Sequence, residues 1–455
     1  MTIDDFIITA FNLRPDDILK IRASKENDVF YVHITLTDKH PQCPLCGGKA
    51  VVKDYNDRHY RHLPFFGIPC EIIWHRRRYK CKDEGSTFNE DNVFGPENYH
   101  QTYALLNQIA LSLKSSHKTF KDIADEYGLS SSIVSLYADS FLHAPRQPLP
   151  VSLGIDEIHS DMAKYGGSYL CVMVDNKERN LTEILPNRSK KTLSKYFESI
   201  PKEERDCVKY VTIDLWEPYK AVAEKYLKSA CIAADPFHVI KHLVQGFTKL
   251  RISTMNQCVY NSPAYYLLKK WHDLFLYDGN LDNHPKYNSY FRQKMNYRDL
   301  YNLLLNISPE LTLAYELMDK YRTFNKIATE ENCNEMLDSL ISQFEEANLS
   351  CYAEFIELLK NWKQEILNSF KRPYNDRKLS NAFTENTNER IRELLDVSNG
   401  MTNFERFRVR CLYCFNRKVF YSLTNSLSSN KRTGKPRGKY NKQKACQKDP
   451  EGDVS

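Results

Sequence analysis

The stretch VSLGIDE, residues 151–157, decides how this chain is read: an apolar run ends by presenting the carboxylate of Asp156. SYLCVMVD (168–175), NLTEILPNR (180–188) and VKYVTIDLW (208–216) follow, and the last again drives a β-rich run into a single acid, Asp214. Short apolar runs bounded by turn residues read as buried strands. Two carboxylates delivered by separate strands are the start of a site for a hard divalent cation, Mg2+ or Mn2+, which takes oxygen ligands and keeps several waters. Strand-end aspartates also cap helices and brace loops, so the rest of the chain has to arbitrate.

The segment SKKTLSKYFESI (189–200) is amphipathic at helical spacing, and SACIAADPFHVIKHLVQGF (229–247) supplies a further strand ending in Asp235 and then a helix. That helix carries His238 and His242 four apart, on one face, without the glutamate of a zinc-protease motif. Three adjacent strands, a helix, a fourth strand, a helix and a fifth strand give the element order of a ribonuclease H-like fold. The fold class is therefore α/β, with a mixed five-stranded sheet whose first three strands form a meander and whose last two run parallel under helices. Residues 151–245 form the first part of this core.

Residues 246–375 carry large apolar residues three or four apart and read as a helical insertion. The core resumes over 376–425 with DRKLSNAFTENTNERIRELLDVSNG (376–400), where Ser380 or Asn381 can cap a helix bearing Glu385, Asn388, Glu389 and Arg392 on one face. Glu385 can point into the cleft as a third metal ligand, with Asn388 and Arg392 near a nucleic-acid backbone; taken alone, it also reads as a solvated helix residue. NGMTNFERFRVRCLYCFNR (399–417) adds Arg406, Arg408, Arg410 and Arg417. Its Cys411 and Cys414 have metal spacing but lie in a helical run with no second pair, so core packing is the reading.

Upstream, residues 1–95 contain HPQCPLCGGKA (40–50), where Cys43 and Cys46 have the spacing that lets two thiolates meet one zinc ion. Cys81 supplies a third. The place of a fourth cysteine is held by Glu84, leaving Glu84, His62, His75 or no protein group as the last ligand. This is a zinc-ribbon-like module, and between its cysteines Arg58, Arg61, Arg76, Arg77, Arg78 and Lys80 alternate with aromatic residues, a pattern suited to phosphate contacts.

Residues 96–145 turn helical, and TFKDIADEYGLSSSIVSLYADSF (119–141) reads helix, Gly128 turn, helix. The second helix, 131–141, would enter a major groove through Ser131, Ser132 and Ser135, as in a helix-turn-helix domain. APRQPLPVS (144–152) is a linker. The last segment, 426–455, holds eight basic and no acidic residues between Lys431 and Lys448 and is predicted to be disordered and to bind a polyanion.

The whole chain has 455 residues, a formal charge of +6 and thirteen cysteines, irregularly spaced, which fits a reducing compartment with one metal cluster better than a disulfide framework. With no basic leader before an apolar run and no apolar segment of spanning length, the sequence predicts a soluble, cytoplasmic, nucleoid-associated protein.

Taken in order, CPLCG, RRRYKC, the helix pair, GIDE, VTIDLWEPY, ADPFHVIKH, LSNAFTENTNERI and SNGMTNFERFRVR resemble the bacterial insertion-sequence transposases of the ISL-three family, over roughly residues 40–420. The resemblance implies an enzyme that cuts DNA with a DDE triad formed by Asp156, Asp214 and Glu385. These residues would hold two Mg2+ ions, with Asp235 and His238 in a family motif nearby. It also implies double-stranded DNA as partner, both terminal inverted repeats and target, and at least a homodimer on two ends. Two departures stand out: Glu84 replaces a ribbon cysteine, and Asn386, Glu389 and Arg390 alter the charge around Glu385. Two other readings share these residues: a nuclease or resolvase on the same core without strand transfer, and a decayed transposase that only binds DNA.

Overall fold

The computed structural model describes residues 3–423 apart from 12, 40, 98, 163–166, 278–280, 375, 399–400 and 417–419, so Arg417 and the basic segment 426–455 lie outside the described residues. The chain forms two compact units, one of residues 1–113, 120–142 and 421–455, the other of residues 114–119 and 143–420. No helix among the described residues is long and apolar enough to cross a membrane.

In the first unit helix α1 (Ile3–Ala10) precedes a five-stranded sheet. Strands β1 (Ile18–Glu26) and β2 (Val29–Leu36) form a hairpin, and β3 (Ala50–Phe65) and β4 (Ile68–Cys81) a longer one; β2 and β4 run parallel, and β5 (Thr87–Asn89) pairs with β4. Both hairpins turn on two residues with positive φ, Asn27–Asp28 and Phe66–Gly67, the geometry that matches the twist of paired strands. Tyr60, Ile72 and Trp74 of the long hairpin bury against Val32 and Ile34. Helix α2 (Tyr103–Ser112) follows, then α3 (Phe120–Tyr127) and α4 (Ser131–Phe141). Gly128 at φ +63 makes the turn between α3 and α4, and Ser130 caps α4 by accepting from the Ile133 N–H at 3.3 Å. Ile123, Ala124 and Tyr127 of α3 and Val134, Tyr137, Ala138 and Phe141 of α4 are buried.

After a short β6 (Leu142–His143), the second unit begins with β7 (Ser152–His159), β8 (Tyr169–Asp175) and β9 (Asn180–Leu185). Helices α5 (Lys190–Glu198) and α6 (Lys202–Arg205) lead to β10 (Tyr210–Ile213), α7 (Glu217–Tyr226), β11 (Cys231–Ala234) and α8 (Pro236–Gln257). The sheet order is β11-β10-β7-β8-β9, with β7, β8 and β9 antiparallel and β10 parallel to both β7 and β11. This is the meander with two parallel strands that the apolar runs predicted. Pro218 and Pro236 sit in the first turns of α7 and α8, where their missing N–H costs nothing.

The segment 246–375, expected to be a helical insertion, contains the end of α8 and then α9 (Pro263–Lys270), α10 (Tyr297–Leu305), α11 (Pro309–Ile327), α12 (Cys333–Ala347), α13 (Ala353–Asn361) and α14 (Lys363–Asn368). It also holds two three-residue strands, β12 (Lys286–Asn288) and β13 (Gln293–Met295), which the helical spacing of the segment did not predict because runs this short carry no periodic signal. Its helices share one core with the sheet: Leu153, Ile155 and Met173 belong to the same buried cluster as Leu317, Tyr321 and Phe344. Asn368 Nδ2 donates to the Ile232 carbonyl of β11 at 2.7 Å.

Helices α15 (Ala382–Val397) and α16 (Phe404–Phe415) close the unit. Gly154 is what admits α15 against β7. A β-carbon there would come within 2.6 Å of Thr384 Oγ1, 2.8 Å of Asn176 Nδ2 and 2.9 Å of Val174 Cγ2. Cys411 is fully buried in α16, as core packing predicted.

Candidate functional site

Parallel pairing of β10 with β7 puts Asp156 and Asp214 at equivalent heights on neighbouring strands, and β11 brings Asp235 alongside. The first turn of α8 then presents His238. Asp156, Asp214 and His238 place one ligand atom each within 4.8 Å of one another, and so do Asp235, His238 and Glu385. His238 belongs to both groups. Glu385 therefore joins the two aspartates through His238 and Asp235, on a cluster assembled from β7, β10, α8 and α15.

Asp156 and Asp235 are held on both carboxylate oxygens. Asp156 is 7% exposed; its Oδ1 accepts from the Glu157 N–H at 2.8 Å and its Oδ2 from Asn388 Nδ2 at 2.8 Å. Asp235 is 1% exposed and accepts through Oδ1 from the Asn381 N–H at 3.0 Å and pairs through Oδ2 with His238 Nδ1 at 3.1 Å. Of the two expected caps, Ser380 and Asn381, it is Asn381 that occupies the N-cap position of α15, but its side chain makes no cap; Nδ2 donates instead to the Ile155 carbonyl at 3.0 Å, tying α15 to β7. Asn388, predicted to lie near a nucleic-acid backbone, is 2% exposed and orients Asp156.

Crowding of acids in a dry site raises their pKa values. Burial pushes Asp156 up to about 6; the Glu157 N–H and His238 oppose the shift, and the charges of Glu157 and Asp235 add to it. Asp214 is raised further, by burial first and then by Glu157 and Asp156. Glu385, half-buried, is raised by burial and by Asp235, while His238 is raised chiefly by its hydrogen bond to Asp235. Asp214 Oδ1, Glu157 Oε2 and Asn388 Oδ1 are buried acceptors with no donor. Oxygen-rich, under-satisfied and acidic, this donor set suits a hard divalent cation.

Beside Asp214, Glu157 forms an ion pair with Arg188, whose guanidinium lies 4.2 Å from the Tyr169 ring centroid and 4.5 Å from that of Trp216. Glu157 and Arg188 were not singled out from sequence; the one signal available was their adjacency to the strand-end motifs.

In the first unit Cys43, Cys46 and Cys81 converge within 4.8 Å, with Cys46 Sγ 3.4 Å from Cys81 Sγ. The N–H groups of Cys46 and Leu45 pull the Cys43 thiol down to about 7, favouring the thiolate that a metal needs. Glu84 is not part of the group: its side chain is exposed, and only its N–H reaches Cys81 Sγ, at 3.5 Å. His62 is stacked on Phe11 and bonded to Thr102 Oγ1 at 2.9 Å, and His75 to Asp57 Oδ1 at 2.6 Å, so neither joins the cysteines. Asp83 shares the Gly48 cradle with them; a β-carbon at Gly48 would lie 2.0 Å from Asp83 Oδ2 and 3.2 Å from Cys46 Sγ.

Several residues predicted for nucleic-acid contact are occupied within the protein. Arg76 pairs with Glu97 at 2.9 Å, and Arg77, 2% exposed, with Glu90 at 2.7 Å. Arg408 clasps Glu183 with two bonds of 2.6 Å. These arginines sit on strand and helix faces that pack inward, where an unpaired charge would be costly, so each has an acid. Arg58 bonds the Glu97 carbonyl at 3.0 Å and Arg61 the Gly128 carbonyl. Arg78, Lys80, Ser131, Ser132 and Arg392 are exposed, and Ser135 half-buried.

Comparison with known proteins adds two family matches. A family model described as a transposase, of the ISL-three type, matches residues 153–411, more than half of the chain. The zinc finger of the transposases of IS204, IS1001, IS1096 and IS1165 matches residues 39–83. A curated relative, the transposase for insertion sequence element IS1001 of Bordetella parapertussis, is 24% identical over 387 residues, covering 84% of this chain and 91% of its own.

Proposed function

Because the chain belongs to the ISL-three family of transposases, we propose that it cuts DNA at the ends of an insertion sequence and joins those ends to a target, using Asp156, Asp214 and Glu385 as its acid triad. The five-stranded sheet is read as a ribonuclease H-like core. The observation that carries the proposal is the meeting of Asp156, Asp214 and His238, and of Asp235, His238 and Glu385, each within 4.8 Å, around buried acceptors that lack donors.

A divalent cation at this cluster, Mg2+ or Mn2+, supplies the activation of a water or 3′ hydroxyl and the stabilisation of the leaving oxygen of a phosphodiester. The protein's share is preorganisation. Asn388 and the Glu157 N–H fix both oxygens of Asp156, and Asn381 and His238 fix Asp235, so these two carboxylates need not reorient when charge develops. The raised pKa values of Asp156 and Asp214 mean that filling the site releases protons. The exposed Arg78 and Lys80 of the ribbon and the first turn of α4, with Ser131 and Ser132, are assigned to the terminal repeats, and Cys43, Cys46 and Cys81 to a structural zinc. Handling two ends implies a dimer or larger assembly on DNA.

The test is incubation of the full chain with DNA carrying the sequences that flank its gene, with and without Mg2+ or Mn2+. Cation-dependent nicks at the ends, joined products from pre-cut ends, and loss of both in Asp214→Asn with DNA affinity retained are the expected results. Cutting without joining would make the chain a nuclease, and binding without cutting would make it a DNA-binding protein alone; either overturns the proposal.

A further inference from the structure

The two-stranded ribbon β12–β13 has no role in the chemistry above, and one of its faces is exposed. Its inner face is anchored: Asn288 is 7% exposed and accepts from the Tyr290 N–H at 3.0 Å, the Phe291 N–H at 3.2 Å and Tyr266 Oη at 3.3 Å. Met295 is buried beside it, and the Tyr266 and Tyr290 rings stack with centroids 4.1 Å apart. Because side chains alternate along a strand, the register that buries Asn288 and Met295 turns Tyr287 and its cross-strand partner Lys294 outward. Tyr287 is 67% exposed, Lys294 is exposed, and Arg292 in the turn is exposed at φ +54.

The charge of this outer face is one-sided. Between Asp282 and Asp299 the sequence has Lys286, Arg292, Lys294 and Arg298 and no acid. Asp282 engages Lys286 at 3.2 Å, whereas no ion pair among the described residues includes Arg292, Lys294 or Arg298. A purely solvating surface would not need an exposed tyrosine opposite a lysine on a stiff ribbon. A tyrosine ring flanked by unpaired cations, on an element thin enough for a groove, matches the chemistry of a nucleic-acid backbone with its sugars and base edges.

We propose that this ribbon, through Tyr287, Arg292 and Lys294, is a second DNA-contacting element, gripping the duplex on the flank of the catalytic cleft. The proposal rests on the reading of the chain as an enzyme acting on DNA. Helix α8 sets the spacing. His238 lies in its first turn, and Arg251 Nη1 donates to the Leu268 carbonyl of α9 at 2.7 Å, where the ribbon's support begins. From His238 to Arg251 the helix rises about 20 Å, the length of about six base pairs.

The experiment uses the full chain and a labelled duplex taken from the DNA flanking its gene, with binding measured across a salt series. Replacing Tyr287, Arg292 and Lys294 together by serine is expected to weaken binding and to flatten the slope of log K against log salt by about 2, close to 0.9 for each phosphate no longer neutralised. An unchanged melting temperature shows that the variant is folded. As a second readout, a photo-crosslinking benzoylphenylalanine replacing Tyr287 is expected to label the duplex. Labelling of a second protomer, or no labelling, overturns the assignment, as does an unchanged slope while the parent chain binds and cuts. Failure of the parent chain itself to bind the duplex would instead defeat the underlying reading.

Discussion

Asp156→Asn separates the electrostatic strain of the site from its chemistry. In the folded protein burial holds the Asp156 pKa at about 6 against an ordinary 3.8, so the charged form is disfavoured by about 3 kcal/mol. Because the folded pKa is raised, the stability this group contributes is present below about pH 4 and is lost as pH rises through about 6. An amide of the same shape escapes that loss. Its oxygen keeps the Glu157 N–H, and its NH2 meets Asn388, whose amide can rotate because its Oδ1 has no donor to give up. The variant should therefore match the parent near pH 4 and exceed it above pH 6 by up to about 3 kcal/mol, roughly 5 °C in melting temperature for a unit of this size. Calorimetry in a chelator at the two pH values reads this directly. Mg2+ should narrow the gap at high pH by stabilising only the parent, while DNA cutting is lost in the variant. A variant no more stable than the parent above pH 6, or one that still cuts, would refute the reasoning.

Three further outcomes follow from the packing. Gly154→Ala should cost about 1–3 kcal/mol and reduce cutting, since the added methyl drives Thr384 and α15 away from β7; thermal melting and a cutting assay check both. Arg408→Ala should lower stability by about 3–5 kcal/mol, because Glu183 is left buried and unpaired, with little change in DNA affinity below the melting range; a large affinity loss without destabilisation would return Arg408 to the DNA surface. Cys81→Ser should abolish the zinc content measured by metal analysis and lower the melting temperature of the first unit, whereas Glu84→Ala should change neither; equal loss in both would restore Glu84 as a ligand.

The local signals were those that a strand or helix writes into its own residues. Apolar runs leading to Asp156, Asp214 and Asp235, the Cys43–Cys46 turn, and the Gly128 break before Ser130 are patterns of a few neighbouring residues; Asp214 and Asp235 follow their strands directly, whereas Asp156 lies inside β7, which continues to His159. Which side chains meet depends on register and on helices arriving from far along the chain. His238 shares both acidic groups only because α8 starts at the end of β11 and α15 crosses β7 at Gly154. Likewise nothing adjacent in sequence marks Arg76, Arg77 and Arg408 as consumed by Glu97, Glu90 and Glu183, the last 225 residues away, or sets Glu84 outside the cysteine cluster. Spacing along the chain determines what an element is; the long-range pairing of charge, free of any local periodicity, decides which of its residues remain available for metal or DNA.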